Sequence, residues 1–77
     1  MTKYERLSLE MITGLMGAVA ALTAANGARS EWLNSQLPNL SPEQREELEK
    51  DFKIQLENAQ KLRENVTSLR AILDQKA

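Results

Sequence analysis

Eighteen consecutive residues between Glu10 and Arg29 carry no charge, and nearly all of them are apolar or small. A helix that is apolar around nearly its whole circumference must be covered on nearly all sides. The chain has only 77 residues, and so short a chain buries roughly 60% of its unfolded surface when it folds. The stretch therefore predicts a partner for this helix: a second copy of the chain, another protein or a membrane.

Composition narrows the ways in which so small a chain can be stabilised. Small domains usually rely on disulfides, metal ions or oligomerisation. The sequence contains no cysteine and no histidine, so disulfides are excluded and the usual ligands of zinc and transition metals are missing. Oligomerisation remains, and we expect one helical domain over residues 1–77 that self-associates. The absence of cysteine also suits a reducing cytosol, and we expect a cytoplasmic protein.

The second half of the sequence predicts a long helix from about residue 41 to 76. Ser41 is a capping residue, Pro42 occupies the first helical position, and Gln44 completes a capping box. Residues then recur at alternating spacings of four and three, which is the pattern of a coiled-coil seam. The seam consists of Leu48, Phe52, Gln55, Ala59, Leu62, Val66, Leu69 and Leu73, and Leu56 broadens it. We expect this seam to form the core or the oligomer interface.

The first half predicts a helix from about residue 2 to 26, with Gly27 as its C-terminal stop. Large apolar residues share one side of this helix, namely Tyr4, Leu7, Met11, Leu15, Val19 and Leu22. A stripe of small residues lies beside them, consisting of Gly14, Ala18, Ala21, Ala25 and Ala28. Small residues let another helix approach closely. We expect the large side to pack on the second helix, and the small side, or the edge formed by Leu9 and Met16, to meet something else. The large and the small residues are both expected to contribute to the core or the oligomer interface.

A short third helix is predicted at residues 30–37, because Ser30 is a capping residue and Pro38 ends the segment. The predicted fold is all-α: an antiparallel helical hairpin with this short helix at the bend, assembling into a homo-oligomeric helix bundle or coiled coil. At 1.5 Å per residue the long helices measure about 37 and 50 Å. About 13 Å of the second helix, near Leu69, Ile72 and Leu73, is therefore expected to need cover from another chain.

The motifs of catalysis and cofactor binding are absent from the sequence. There is no histidine for acid–base chemistry, and the Gly14 to Gly17 segment lacks phosphate-loop spacing. Acidic residues after Ser41 alternate with lysine and arginine, which is typical of a solvated helix face rather than a metal site. The formal net charge of −1 argues against a nucleic-acid partner. We expect a non-enzyme without a cofactor.

A binding function is the interpretation that remains, and its partner is not identified by the sequence. The candidate partner-binding residues are Tyr4, Met16, Trp32, Arg63 and Arg70. Trp is enriched at binding hot spots, and the expected role is that of an adaptor, a chaperone-like protein or an inhibitor. Small adaptors, secretion chaperones and phage-encoded inhibitors share this size and class. Two alternatives stay open: an oligomeric sponge for an anionic small molecule such as a nucleotide, and a holin-like protein that inserts residues 11–28 into a membrane.

Overall fold

The computed structural model describes residues 1–75 and contains two helices, α1 (Lys3–Gln36) and α2 (Pro42–Asp74). Residues 37–41 connect them, and the helices pack side by side in opposite directions. The result is a rod of 57 × 14 × 13 Å. The prediction of an all-α antiparallel hairpin is confirmed; the end of the second predicted helix, at residue 76, lies outside the described residues.

Both helices begin with a reciprocal capping box. At α1, the Thr2 hydroxyl accepts a hydrogen bond from the Glu5 backbone N–H at 3.1 Å, and the Glu5 carboxylate accepts one from the Thr2 N–H at 3.0 Å. At α2, Ser41 and Gln44 make the same two contacts at 3.1 and 2.9 Å. These bonds satisfy donors that have no partner within the helix, and they fix where each helix starts.

The predicted stop at Gly27 is wrong, because α1 continues through it to Gln36. Gly27 is buried against α2: a Cβ added there would lie 3.1 Å from the Gln55 Cβ and 3.5 Å from the Phe52 carbonyl oxygen. This glycine therefore permits a close approach of the two helices. The segment predicted as a separate third helix is the last part of α1, and Ser30 lies buried within the helix pair.

The two helices have nearly equal lengths of 34 and 33 residues, since α1 is longer than predicted. The overhang expected at the end of α2 is not present. Leu73 is buried, Leu69 is half-buried, and the Arg6 guanidinium reaches the Leu73 carbonyl. Among the large apolar residues that the structure describes near this end, Ile72 stays open to solvent, at 44% exposure.

The interface between the helices uses the predicted seam of α2 and a stripe of α1 that hydrophobicity does not mark. All eight residues of the α2 seam are buried or half-buried, whereas Leu56 is exposed. The matching residues of α1, here called the inner stripe, are Arg6, Leu9, Thr13, Met16, Ala20, Thr23, Gly27, Ser30 and Asn34. They too alternate by three and four. The expectation that the large apolar side of α1 packs on α2 is therefore wrong for the single chain.

Small and polar side chains explain why the inner stripe meets α2. Ala20 and Ala59 are 3% and 0% exposed, so the backbones approach closely where these residues lie. The Ser30 hydroxyl donates a hydrogen bond to Asp51 Oδ2 across the interface. None of the large side chains described is completely buried. The single hairpin thus has a thin core, held by close backbone contact and by hydrogen bonds.

Two arginines bind the C-terminal carbonyl groups of the opposite helix. Arg6 Nη1 donates to the Leu73 carbonyl at 3.0 Å. Arg45 donates to the carbonyls of Asn34 at 2.7 Å and Leu37 at 3.1 Å. Within the described residues, neither helix has a basic residue in its own last turn. The opposite helix therefore supplies the positive charge that a helix C-terminus favours.

Candidate functional site

The side of α1 that faces away from α2 exposes a large apolar surface. Leu15 and Leu22 are each 65% exposed, Met11 is 68% exposed, and Tyr4 is 82% exposed. Isolated exposed apolar residues are ordinary, whereas a contiguous patch marks an interaction site. The exposed large residues of α1 from its start to its middle are Tyr4, Leu7, Met11, Ile12, Leu15, Val19 and Leu22.

The small residues singled out in the sequence lie on the same open surface. Gly14, Ala18, Ala21, Ala25 and Ala28 are all exposed. Together with Leu7, Met11 and Trp32 they form a continuous line along α1, here called the outer stripe. Trp32 is 59% exposed and ends this line near the connection. Met16 differs from the other candidate binding residues, because it is half-buried on the inner stripe against α2.

Open grooves run along the hairpin where α1 and α2 meet. One groove of about 390 Å³ is lined by Gly17, Ala20, Ala21, Arg63, Val66, Thr67 and Arg70; we call it the arginine groove. Another of about 400 Å³, the leucine groove, is lined by Leu33, Leu37, Leu40, Gln44, Glu47, Leu48 and Asp51. At about 100° per residue, the α1 residues of these grooves lie on opposite flanks of the inner stripe. The two grooves therefore mark the two sides of the hairpin.

The arginine groove brings together Arg63 and Arg70, which the sequence nominated as candidate binding residues. Its floor consists of small side chains of α1, so the guanidinium groups have open space beside them. Among residues 1–75 the ion pair found within 4 Å joins Arg6 to Glu10 at 3.3 Å. Arg63 and Arg70 thus have no carboxylate partner within that part of the chain. The groove combines positive charge with an apolar floor.

Sequence reasoning missed Arg6, Arg45 and the Ser30–Asp51 pair, which join the helices. The regular spacing of the inner stripe from Arg6 to Asn34 is a signal that the sequence does carry. It is hidden because small and polar residues such as Thr13, Thr23 and Ser30 lie between the apolar members of the stripe, so hydrophobicity does not mark it. A search for small and polar residues in heptad register would have found it.

The carboxyl group of Glu5, in the first turn of α1, has a shifted pKa. Hydrogen bonds from the backbone and the side chain of Thr2 lower the pKa of the Glu5 carboxyl below its ordinary value. No group of three or more acidic, His or Cys side chains within residues 1–75 is placed to hold a metal ion.

One described helix, α1, is long and apolar enough to cross a membrane. Its most apolar 18-residue window has a mean hydropathy of 1.6, and 11% of that window is buried in the hairpin. The core helix of a soluble protein and a signal sequence can meet the same criterion. The low burial is the informative part, because it means that α2 leaves most of this window open.

The described residues therefore form an all-helical hairpin of two helices, one of which exposes a large apolar surface. Comparison with protein-family models, with curated proteins and with solved structures gave no match.

Proposed function

We propose that this chain is a small non-enzymatic helical protein that self-associates through α1 and acts by binding another protein. The observation that carries the proposal is the exposure of the large apolar residues of α1, such as Leu15 and Leu22 at 65%. Burial of apolar surface stabilises by about 25 cal/mol per Å². A second copy and a protein partner each remove this surface from water, and the protein works as an adaptor, a chaperone-like protein or an inhibitor in the cytoplasm.

The partner would bind where the surface combines apolar area with an aromatic anchor. The outer stripe meets this description, since it ends at the exposed side chain of Trp32. Tyr4 offers a similar anchor near the start of α1, at 82% exposure. Aromatic residues that fill a pocket on a partner commonly dominate the binding energy.

Light scattering coupled to size-exclusion chromatography, without detergent, tests self-association first. We expect a mass of two or more chains of 8.7 kDa.

Affinity capture from a lysate then tests partner binding with Trp32→Ala, and Leu56→Ala serves as control because Leu56 is an exposed residue of α2. A specific partner should be lost with the first variant and kept with the second. A monomer that captures nothing in either form would contradict the proposal.

An anionic small molecule is a second candidate ligand, and the arginine groove is the observation that favours it. Arg63 and Arg70 line the same groove beside an apolar floor, which suits a phosphate attached to an aromatic or aliphatic group. A ligand at 100 times its Kd adds about 2.7 kcal/mol of stability. A nucleotide screen by thermal shift should therefore raise Tm, and Arg63→Gln should remove the effect while Lys53→Gln keeps it. No shift with any nucleotide would remove this candidate.

Membrane insertion is a third candidate, favoured by the length and hydropathy of α1. Insertion would separate α1 from α2, because α2 is charged along its outer side and charged side chains are costly within a bilayer. Flotation with lipid vesicles tests this function. Co-flotation accompanied by loss of the Ser30–Asp51 contact would support it, and a chain that stays with the aqueous fraction would exclude it.

A further inference from the structure

One side of α1 carries a line of exposed residues with a symmetric chemical order. The line, here called the lateral seam, consists of Glu5, Ser8, Ile12, Leu15, Val19, Leu22, Asn26 and Arg29. All eight are exposed in the hairpin, and they alternate by three and four as a helix-packing seam does. Four apolar residues occupy the middle, a small polar residue flanks them on each side, and opposite charges stand at the two ends.

This order is self-complementary when a second copy of α1 packs antiparallel on it. A two-fold axis level with Gly17 places Leu15 opposite Val19 of the partner copy and Ile12 opposite Leu22 of the partner copy. The same register pairs Ser8 with Asn26 and Glu5 with Arg29. A two-fold interface requires such self-complementarity. Parallel packing would instead place Glu5 against Glu5 and Arg29 against Arg29, so the charges select the antiparallel arrangement.

A line of exposed residues along α2 is also self-complementary when a second copy of α2 packs antiparallel on it. It consists of Ile54, Asn58, Lys61, Asn65, Ser68 and Ile72. Antiparallel packing of two copies about the level of Arg63 pairs the two isoleucines, pairs Asn58 with Ser68 and pairs Lys61 with Asn65. Ile54 and Ile72 are 54% and 44% exposed in the hairpin, so this pairing would bury two large side chains of α2 that the single chain leaves open.

The two lines lie on one side of the hairpin, and their centres lie at one level. Leu33 is the next residue of the lateral seam and Asp51 the next residue of the α2 line, and both border the leucine groove. The two centres, Gly17 and Arg63, border the arginine groove together and are therefore level along the rod. A single two-fold axis therefore produces the α1–α1 pairing and the α2–α2 pairing at the same time.

We propose that two copies pack through this side into a four-helix bundle in which all neighbouring helices are antiparallel, α1 on α1 and α2 on α2. This inference rests on the proposed self-association and names its interface. The side measures 57 Å by 14 Å, which is about 800 Å², the area that each partner buries in a stable interface of standard size. The outer stripe lies on another face of α1 and stays open to a protein partner.

Cysteine cross-linking tests the register directly, because the natural chain has no cysteine. An oxidised mixture of the Ser8→Cys and Asn26→Cys chains should form a covalent heterodimer. Each variant alone should stay uncross-linked, since residues 18 positions apart in a helix are about 27 Å apart and a disulfide needs Cα atoms within about 7 Å. A mixture of Asn58→Cys and Ser68→Cys chains should cross-link in the same way and tests α2 independently.

A mixture of Gly14→Cys and Ala25→Cys chains is the matched control, because both positions lie on the outer stripe. Cross-linking of this mixture, or of Ser8→Cys with itself, would overturn the proposed interface. Circular dichroism of each reduced variant shows that it is folded. A dimer by light scattering without the cross-link from position 8 to 26 contradicts this interface alone, whereas a monomer contradicts self-association as well.

The charges of Glu5 and Arg29, at the two ends of the lateral seam, allow a second test of the antiparallel register. Arg29→Glu would place a carboxylate against Glu5 of the partner copy at both ends of the interface. We expect the dimer Kd to rise about two- to thirtyfold, because the two-fold axis makes this exposed ion pair twice in each dimer. Arg63→Glu, on the other side of the hairpin, should leave the Kd unchanged. Equal effects of both variants would count against the antiparallel register.

Discussion

At the scale of single residues, Arg45 contributes most visibly to closing the hairpin. Its guanidinium donates to the carbonyls of Asn34 and Leu37 and to the side-chain oxygen of Asn34. These carbonyls lie at the end of α1, where no further turn of helix supplies a donor. One side chain therefore satisfies the end of one helix from the beginning of the other.

We predict that Arg45→Met lowers the free energy of unfolding by about 1–3 kcal/mol, because hydrogen bonds that involve a charged group contribute about this much. Urea denaturation followed by circular dichroism measures the change. Arg63→Met is the matched control, since its guanidinium makes no hydrogen bond within residues 1–75, and it should change stability by less than about 0.5 kcal/mol. Equal losses in the two variants would show that the carbonyl contacts contribute nothing specific.

The Glu5 carboxyl links the start of α1 to pH. Its pKa is lowered in the folded chain by hydrogen bonds from Thr2, so the ionised form is favoured by folding. The stabilisation is fully present above the unfolded pKa and is lost as the pH falls through the lowered, folded pKa. We predict that the first turn of α1 frays over this acidic range. Amide exchange of residues in that turn measures it, and Glu5→Gln should abolish the pH dependence.

At the scale of the helices, the structure shows which face of α1 meets α2. Ala20 is 3% exposed and lies between the helices, whereas its neighbour Ala21 faces the arginine groove and is exposed. The sequence places Ala21 in the conspicuous line of small residues, and nothing in its hydrophobicity distinguishes Ala20. Which face of α1 packs on α2 depends on which α1 side chains form hydrogen bonds with α2, as Ser30 does with Asp51.

We predict that Ala20→Leu lowers the free energy of unfolding by about 1–3 kcal/mol, as overpacking of a tight contact does. Ala21→Leu should change it by less than about 0.5 kcal/mol, because its side chain has open space. The two substitutions are identical and adjacent, so helix propensity cancels in the comparison. A larger loss for Ala21→Leu would mean that the line of small residues is the true helix contact.

The helices themselves were largely predictable from local signals. The start of α2 follows from Ser41, Pro42 and Gln44, and its eight-residue seam follows from spacing alone. The end of α1 was not predictable from Gly27, since a glycine within a helix marks close packing as readily as a stop. The sequence also predicted that the candidate surface of α1 is apolar. It did not predict which face of α1 is covered by α2, because that depends on hydrogen bonds between the helices.

At the scale of the whole molecule, the hairpin has a long surface and little interior. The buried apolar residues described in the hairpin are Ala20, Ala59 and Leu73. The proposed self-association would bury apolar surface of α1 that the hairpin leaves exposed, so we expect the stability of the fold to depend on it. We predict that each tenfold dilution lowers Tm by about 3–6 °C, because it removes about 1.4 kcal/mol from a dimer of this size.

Differential scanning calorimetry over a hundredfold range of protein concentration measures this shift. Arg29→Glu, which weakens the proposed interface, should lower Tm at every concentration, whereas Arg63→Glu should not. A Tm that is independent of concentration would show that the hairpin is stable on its own.

The bond from Arg6 to the Leu73 carbonyl holds the beginning of α1 beside the end of α2. A short engineered linker could join these ends, and new chain ends could be opened between Leu37 and Ser41. Such a circular permutant would keep the contacts between α1 and α2, because the new chain ends lie in the connection, outside both helices. The hairpin would then form with either helix first in the sequence, because its packing does not depend on the order of the two helices along the chain.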